Sequence, residues 1–94
     1  MAEDAWEAAQ EGAELIADGD LERAVSVLSA LVESDPKNEY ARFFLGAAHY
    51  EQKDYARAMQ AYVGALTLAP THLGAMIGAG HALRMLGRYD ESIR

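Results

Sequence analysis

Cysteine is absent from this chain, and with it any disulfide framework or thiolate metal site. Long apolar runs are missing too. None approaches the roughly 20 residues that a membrane-spanning helix needs, so membrane insertion is not expected. The opening stretch MAEDAWEAAQEG lacks the basic n-region and apolar h-region of a secretory signal. These absences lead to the expectation of a cytoplasmic protein. Basic residues are scarce where acids crowd: residues 1–39 hold eleven acids and two bases, residues 40–94 four acids and six bases. Phosphate recognition needs clustered Lys and Arg, so no nucleic acid is expected as the main ligand.

What is there is a chain of 94 residues that is 51% hydrophobic, enough for one small domain over residues 1–94 with a modest core. The net charge of -7 is concentrated at the start. Glu3, Glu7, Glu11, Glu14 and Asp18 recur at three- or four-residue spacing and so form one acidic helix stripe. That stripe reads either as a solvated outer face or as a docking strip for a basic partner.

Gly12, Gly46 and Gly80 stand thirty-four residues apart. The same step relates Ala24, Ala58 and Ser92, Leu21, Tyr55 and Tyr89, Leu28 and Tyr62, and the only two prolines, Pro36 and Pro70. The stretches GDLERA (19–24), KDYARA (53–58) and GRYDES (87–92) occupy one phase of this repeat. Repeats are therefore expected at about 5–38, 39–72 and 73–94, the third incomplete.

Inside each period the apolar spacing is helical, and no segment alternates with period two for long enough to be a strand. Asp20, Asn38 and Asp54 are suited to N-capping, and Thr71 follows Pro70 at the start of a fifth helix. Asp35, biased away from helical torsions by Pro36, ends the second. Helices are expected near 3–18, 21–34, 39–52, 55–68 and 72–86, with a further stub from 89.

The second period carries Leu45-Gly46, Tyr50, Asp54-Tyr55, Ala58, Tyr62, Ala65-Leu66 and Pro70. The third carries Gly80, Leu83, Gly87, Tyr89, Asp90-Glu91 and Ile93, and the first keeps Gly12, Ala24 and Pro36. These residues resemble the tetratricopeptide repeat, a helix-turn-helix unit of 34 residues. The resemblance implies an all-α fold of repeats stacked as a right-handed α-solenoid with a concave groove. It implies close packing of Gly12 on Ala24, Gly46 on Ala58 and Gly80 on Ser92. It also implies that the first helix of each repeat lines the groove, through Trp6, Ala9, Ala13 and Ile16, then Tyr40, Phe43, Ala47 and Tyr50, then Ile77, His81 and Arg84. Some family members grip a C-terminal carboxylate with Lys and Asn. Ala9 and Ala13 occupy those slots here, so that clamp is not expected.

The residues offer little to catalysis, and neither an enzyme nor a cofactor is expected. Gly78-Ala79-Gly80 lies inside an expected helix, follows no strand and lacks a third glycine, so it is no nucleotide loop. His49, His72 and His81 share no i, i+4 spacing for a metal, with His49 at a core position and His81 at a groove position. No serine has a nucleophile-elbow signature. An apolar groove suits an extended or amphipathic protein segment docked through hydrophobic anchors, adaptor- or chaperone-like. Arg42-Phe43-Phe44-Leu45-Gly46 also resembles the opening of the second repeat in class II chaperones of bacterial type III secretion, an alternative function, as is a self-assembling scaffold. A third repeat without its second helix leaves Met76, Leu83 and Met85-Leu86 uncovered, so the expectation is either that the chain is a fragment of a longer repeat array or that it self-associates as a homo-oligomer through that end.

Overall fold

The computed structural model describes the backbone of residues 2–93 and the side chains of residues 5–87. It contains five helices: α1 (Ala2–Ala17), α2 (Leu21–Ser34), α3 (Glu39–Glu51), α4 (Tyr55–Leu68) and α5 (Leu73–Ile93). No strand occurs among the described residues. The first four helices match the expected ranges to within a residue, because the caps and stops that set their ends act over only a few residues.

The two turns inside the repeats are built alike. Gly19 (φ 81°) and Lys53 (φ 65°), one period apart, sit in the left-handed region just past α1 and α3. Each is followed by an Asp whose N–H reaches back to a carbonyl five residues earlier, Asp20 to Leu15 (2.9 Å) and Asp54 to His49 (2.9 Å). Gly19 N–H bonds Ile16 and Lys53 N–H bonds Tyr50, which completes a Schellman closure at both places. Gly19 takes this conformation without the side-chain clash that Lys53 must tolerate.

The N-caps differ from expectation at two helices. Asp54 accepts from Arg57 N–H (3.3 Å) as expected, but Asp20 makes no side-chain cap bond and its carboxylate lies 3.5 Å from Arg23 instead. At α5 the cap is His72 rather than Thr71: Nδ1 accepts from Ala75 N–H at 3.1 Å. His72 stands one period after Asn38, whose side chain accepts from Ala41 N–H (3.1 Å). Asn38 is buried, and its amide also donates to Ala5 O (3.0 Å), tying the start of α3 to α1.

The turn expected at 87–89 is not made. Gly87 is helical, and α5 runs on to Ile93 as one helix of 21 residues. The reason is legible in the phase. Position 88 is Arg where positions 20 and 54 are Asp, so the third turn lacks the acid that caps α4 at Asp54 and pairs with Arg23 at Asp20. Continuing an existing helix gains a backbone bond per residue, whereas a new one must nucleate. The packing expected between Gly80 and Ser92 falls on a side chain outside the described residues. Gly80 itself is exposed, with nothing within 4 Å of where its Cβ would be.

Two clusters form the core. Ala24, Leu28 and Ala48 gather Leu15, Ile16, Val25, Phe44 and Leu45. Ala58, Tyr62, Ala65, Ala75, Ala79 and Ala82 gather Phe43, Tyr50, Met59 and Leu66. The adjacent phenylalanines, about 100° apart around α3, therefore serve different clusters, Phe44 the first and Phe43 the second.

The glycines allow close approach, and the nearest side chains over them are a leucine and a tyrosine. A Cβ on Gly12 would run into the side chain of Leu28, and one on Gly46 would lie 2.8 Å from the ring of Tyr62. Leu28 and Tyr62 are equivalent positions of the repeat. Gly78 on α5 also faces that Tyr62 ring, which is thus held between two glycines of successive repeats. Burial, reinforced by Tyr50 and Glu51, pushes the Tyr62 hydroxyl up to about 12 from 10.0.

Helix α3 touches all four other helices, α1 touches α2, and α4 touches α5. The first helices of the repeats thus meet in series, α1 with α3 and α3 with α5, while α2 and α4 share no contact. A two-layer stack whose helices meet in one layer and part in the other bends toward the layer that meets. The α1–α3–α5 side is the inner arc.

Candidate functional site

The inner arc carries a run of rings. Trp6, 46% exposed, meets Tyr40 edge-on at 5.2 Å and Phe44 at 5.7 Å. Tyr40 lies 5.8 Å from His72, and His72 lies 4.9 Å from Phe43. Three helices contribute because Asn38 holds α3 to α1, and His72, the cap of α5, lies where the second repeat hands over to the third. Farther along, Tyr50 lies 5.2 Å from Tyr55 and 6.4 Å from His81.

The residues expected at the groove divide by exposure. Trp6, Ile77, His81 and Arg84 are exposed, and Ile77 at 53% is an apolar side chain open to solvent. Tyr40, Phe43, Ala47, Tyr50 and Ile16 are half-buried, as is Ala13. Phe43 packs on the second core cluster and lies 3.0 Å from the position a Gly74 Cβ would take, while Ile16 packs on the first. Ala9 is fully buried and offers no surface to a ligand, a correction to its expected groove position. His49 is buried, as its core position implied, with Nδ1 3.3 Å from Gln52 Oε1.

Sequence reasoning missed His72, which joins Tyr40 to Phe43 and caps α5. The signal that could have found it is its place one period after Asn38, at a position that needs a hydrogen-bond acceptor. It also missed Leu73 and Leu68 as exposed apolar side chains, at 65% and 38%, whereas Met76, expected to be uncovered, is exposed at 44%.

No helix among the described residues is long and apolar enough to cross a membrane. No group of three or more His, Cys, Asp or Glu among them is placed to hold a metal ion. The surface is equipped for non-covalent contact through rings and aliphatic side chains.

Comparison with known proteins agrees with the repeat architecture. The chain is 28% identical over 75 residues to the BBSome complex member BBS4 of Bos taurus, a match covering 80% of this chain and 14% of that protein. The chain thus spans a small fraction of the relative it matches. Residues 17–94 match the family model described as anaphase-promoting complex, cyclosome, subunit 3. That match covers well over half of the chain, and with the repeated helix pairs it places the protein in the tetratricopeptide-type repeat family that this model represents.

Proposed function

We propose that this chain is a protein-interaction module that holds an extended or amphipathic segment of a partner protein against its inner arc. The observation that carries the reading is the placement of exposed Trp6 and Ile77 on the two flanks of α3, on the layer where the helices meet. Apolar side chains open to solvent on a concave face suit a segment docked through hydrophobic anchors. Tyr40 and Tyr50 lie between them, half-buried, with rigid rings that contact a ligand at little entropic loss. Arg84 and His81 provide polar groups at the α5 end of the row. The matched relative and the matched family are both named as parts of complexes, which supports a protein partner here too.

Trp6 is the only tryptophan in the chain, so its emission reports on this face directly. Titration with amphipathic helical peptides should shift that emission, and Ile77→Asp or Tyr40→Ala should weaken the effect while leaving the helical circular dichroism intact. Binding that survives both changes but is lost on replacing Glu11 and Glu14 would move the site to the acidic stripe. A secretion chaperone is a special case of the same reading, distinguished by a hydrophobic secreted client that is insoluble without this chain.

A second reading rests on α5. Met76 and Leu83, 44% and 60% exposed, flank the open position of Gly80. On α1 and α3 the equivalent glycine is covered by Leu28 or Tyr62 of the following helix. This open face favours association through α5, with a further repeat or another copy of the chain as the occupant.

A further inference from the structure

Two of the chain's eight Lys and Arg residues share one cavity on the opposite side of α3 from the ring row. Arg42, Leu45 and His49 of α3 and Arg57, Gln60 and Ala61 of α4 line a space of about 230 Å³. Arg42, Leu45 and His49 are each two residues on from Tyr40, Phe43 and Ala47, which places them about 200° further round the helix. The cavity is thus an open furrow between α3 and α4, and Leu45, which also packs on the Ala24–Leu28 cluster, forms part of its wall.

Of the two guanidinium groups, that of Arg42 is held in place without a carboxylate partner among the described residues. Arg42 donates from Nε and Nη2 to Pro36 O at 3.1 Å each, and its Nη1 lies 3.1 Å from where a Gly64 Cβ would be. A side chain at 64 would push the guanidinium away. Three of its five N–H donors remain, and no carboxylate among the described residues pairs with it. Arg57 lines the same cavity from the start of α4, with its Nε 3.6 Å from Asp54 in an exposed ion pair. The N-terminus of α4 adds partial positive charge at the same edge. Leu45 and Ala61 provide apolar walls.

We propose that this furrow is a second binding site, which takes the carboxylate of a Glu or Asp side chain from an acidic segment of a partner protein. The charge is complementary, a guanidinium can present two donors to a carboxylate, and the apolar walls accept the methylenes of a glutamate. Nothing in this assignment depends on occupation of the inner arc.

The test uses the whole chain and an acetylated, amidated tetraglutamate peptide. In ¹H–¹⁵N spectra the peptide should shift the Nε–Hε signals of Arg42 and Arg57 and the side-chain amide of Gln60, with the Trp6 indole signal unmoved. Arg57→Gln and Gln60→Glu, at exposed positions, should each weaken the peptide by about two- to fivefold without loss of helicity. Unchanged affinity in both variants would overturn the proposal. So would equal shifts with inorganic phosphate at matched ionic strength, which would mean attraction of any anion. Shifts at Arg42 and Arg57 that appear without peptide as the chain is concentrated would assign the furrow to a second copy, and would also overturn it.

Discussion

At the scale of single residues, the glycines divide by what lies over them. Gly46 bears the ring of Tyr62, itself held from the other side by Gly78, so the ring has little room to yield. Gly80 bears nothing. Gly46→Ala should therefore cost about 1–3 kcal/mol from overpacking, in spite of alanine's better helix propensity. Gly80→Ala should gain up to about 1 kcal/mol from that propensity alone. Urea midpoints of the two variants should move in opposite directions, and a shift of the same sign would refute the ring-over-glycine account. Tyr62 gives a second test. Its hydroxyl is pushed up to about 12 from 10.0, chiefly by burial, so the folded state holds its proton more tightly than the unfolded state does. The associated stability is fully present below about pH 10 and is lost as pH rises through about 12. Helicity followed against pH should fall over that window, and Tyr62→Phe should remove part of the fall. A Tyr62 ring that ionises near pH 10 in the intact fold would contradict the burial argument.

At the scale of elements, one period-linked pair of residues opens the first helix of the second and third repeats: Asn38 caps α3 and His72 caps α5. His72→Ala should destabilise by about 0.5–2 kcal/mol, the range for losing an N-cap. His72→Asn should recover most of that in thermal unfolding, because Asn performs the same task at position 38. Failure of Asn to recover it would assign the stabilisation to the rings of Tyr40 and Phe43, which His72 also meets. The unbroken α5 is the converse case, in which a glycine in phase with Gly19 did not end the helix. Gly87 permits a left-handed residue but does not impose one, and no Asp follows it at position 88.

At the scale of the whole molecule, small residues dominate the buried set, with ten alanines against one leucine and one tyrosine among the buried hydrophobics. Short side chains bring helix backbones together but bury little area each, so the stack depends on every face being covered. The α5 face carrying Met76, Gly80 and Leu83 is open, and dilution should reveal it. Light scattering over a hundredfold concentration range should give a rising mass, and Leu83→Glu should abolish the rise. A constant monomer mass would remove self-association through α5 as a reading.

The sequence by itself determined the first four helices, their period and most of their ends, but not the unbroken α5. Caps, prolines and apolar spacing act within four residues of themselves, so Asn38, Asp54 and Pro36 could be read where they stand. It also marked Gly12 and Gly46 as sites of close approach. Only the tertiary structure showed that the side chains of Leu28 and Tyr62 lie directly over them. It likewise sent Phe43 to the second cluster while leaving Ile77 in solvent, and brought Arg42 and Arg57 to one cavity. Each of these depends on the angle and offset at which two helices pack. Those are set by all the contacts along an interface together, and no single residue or spacing carries them.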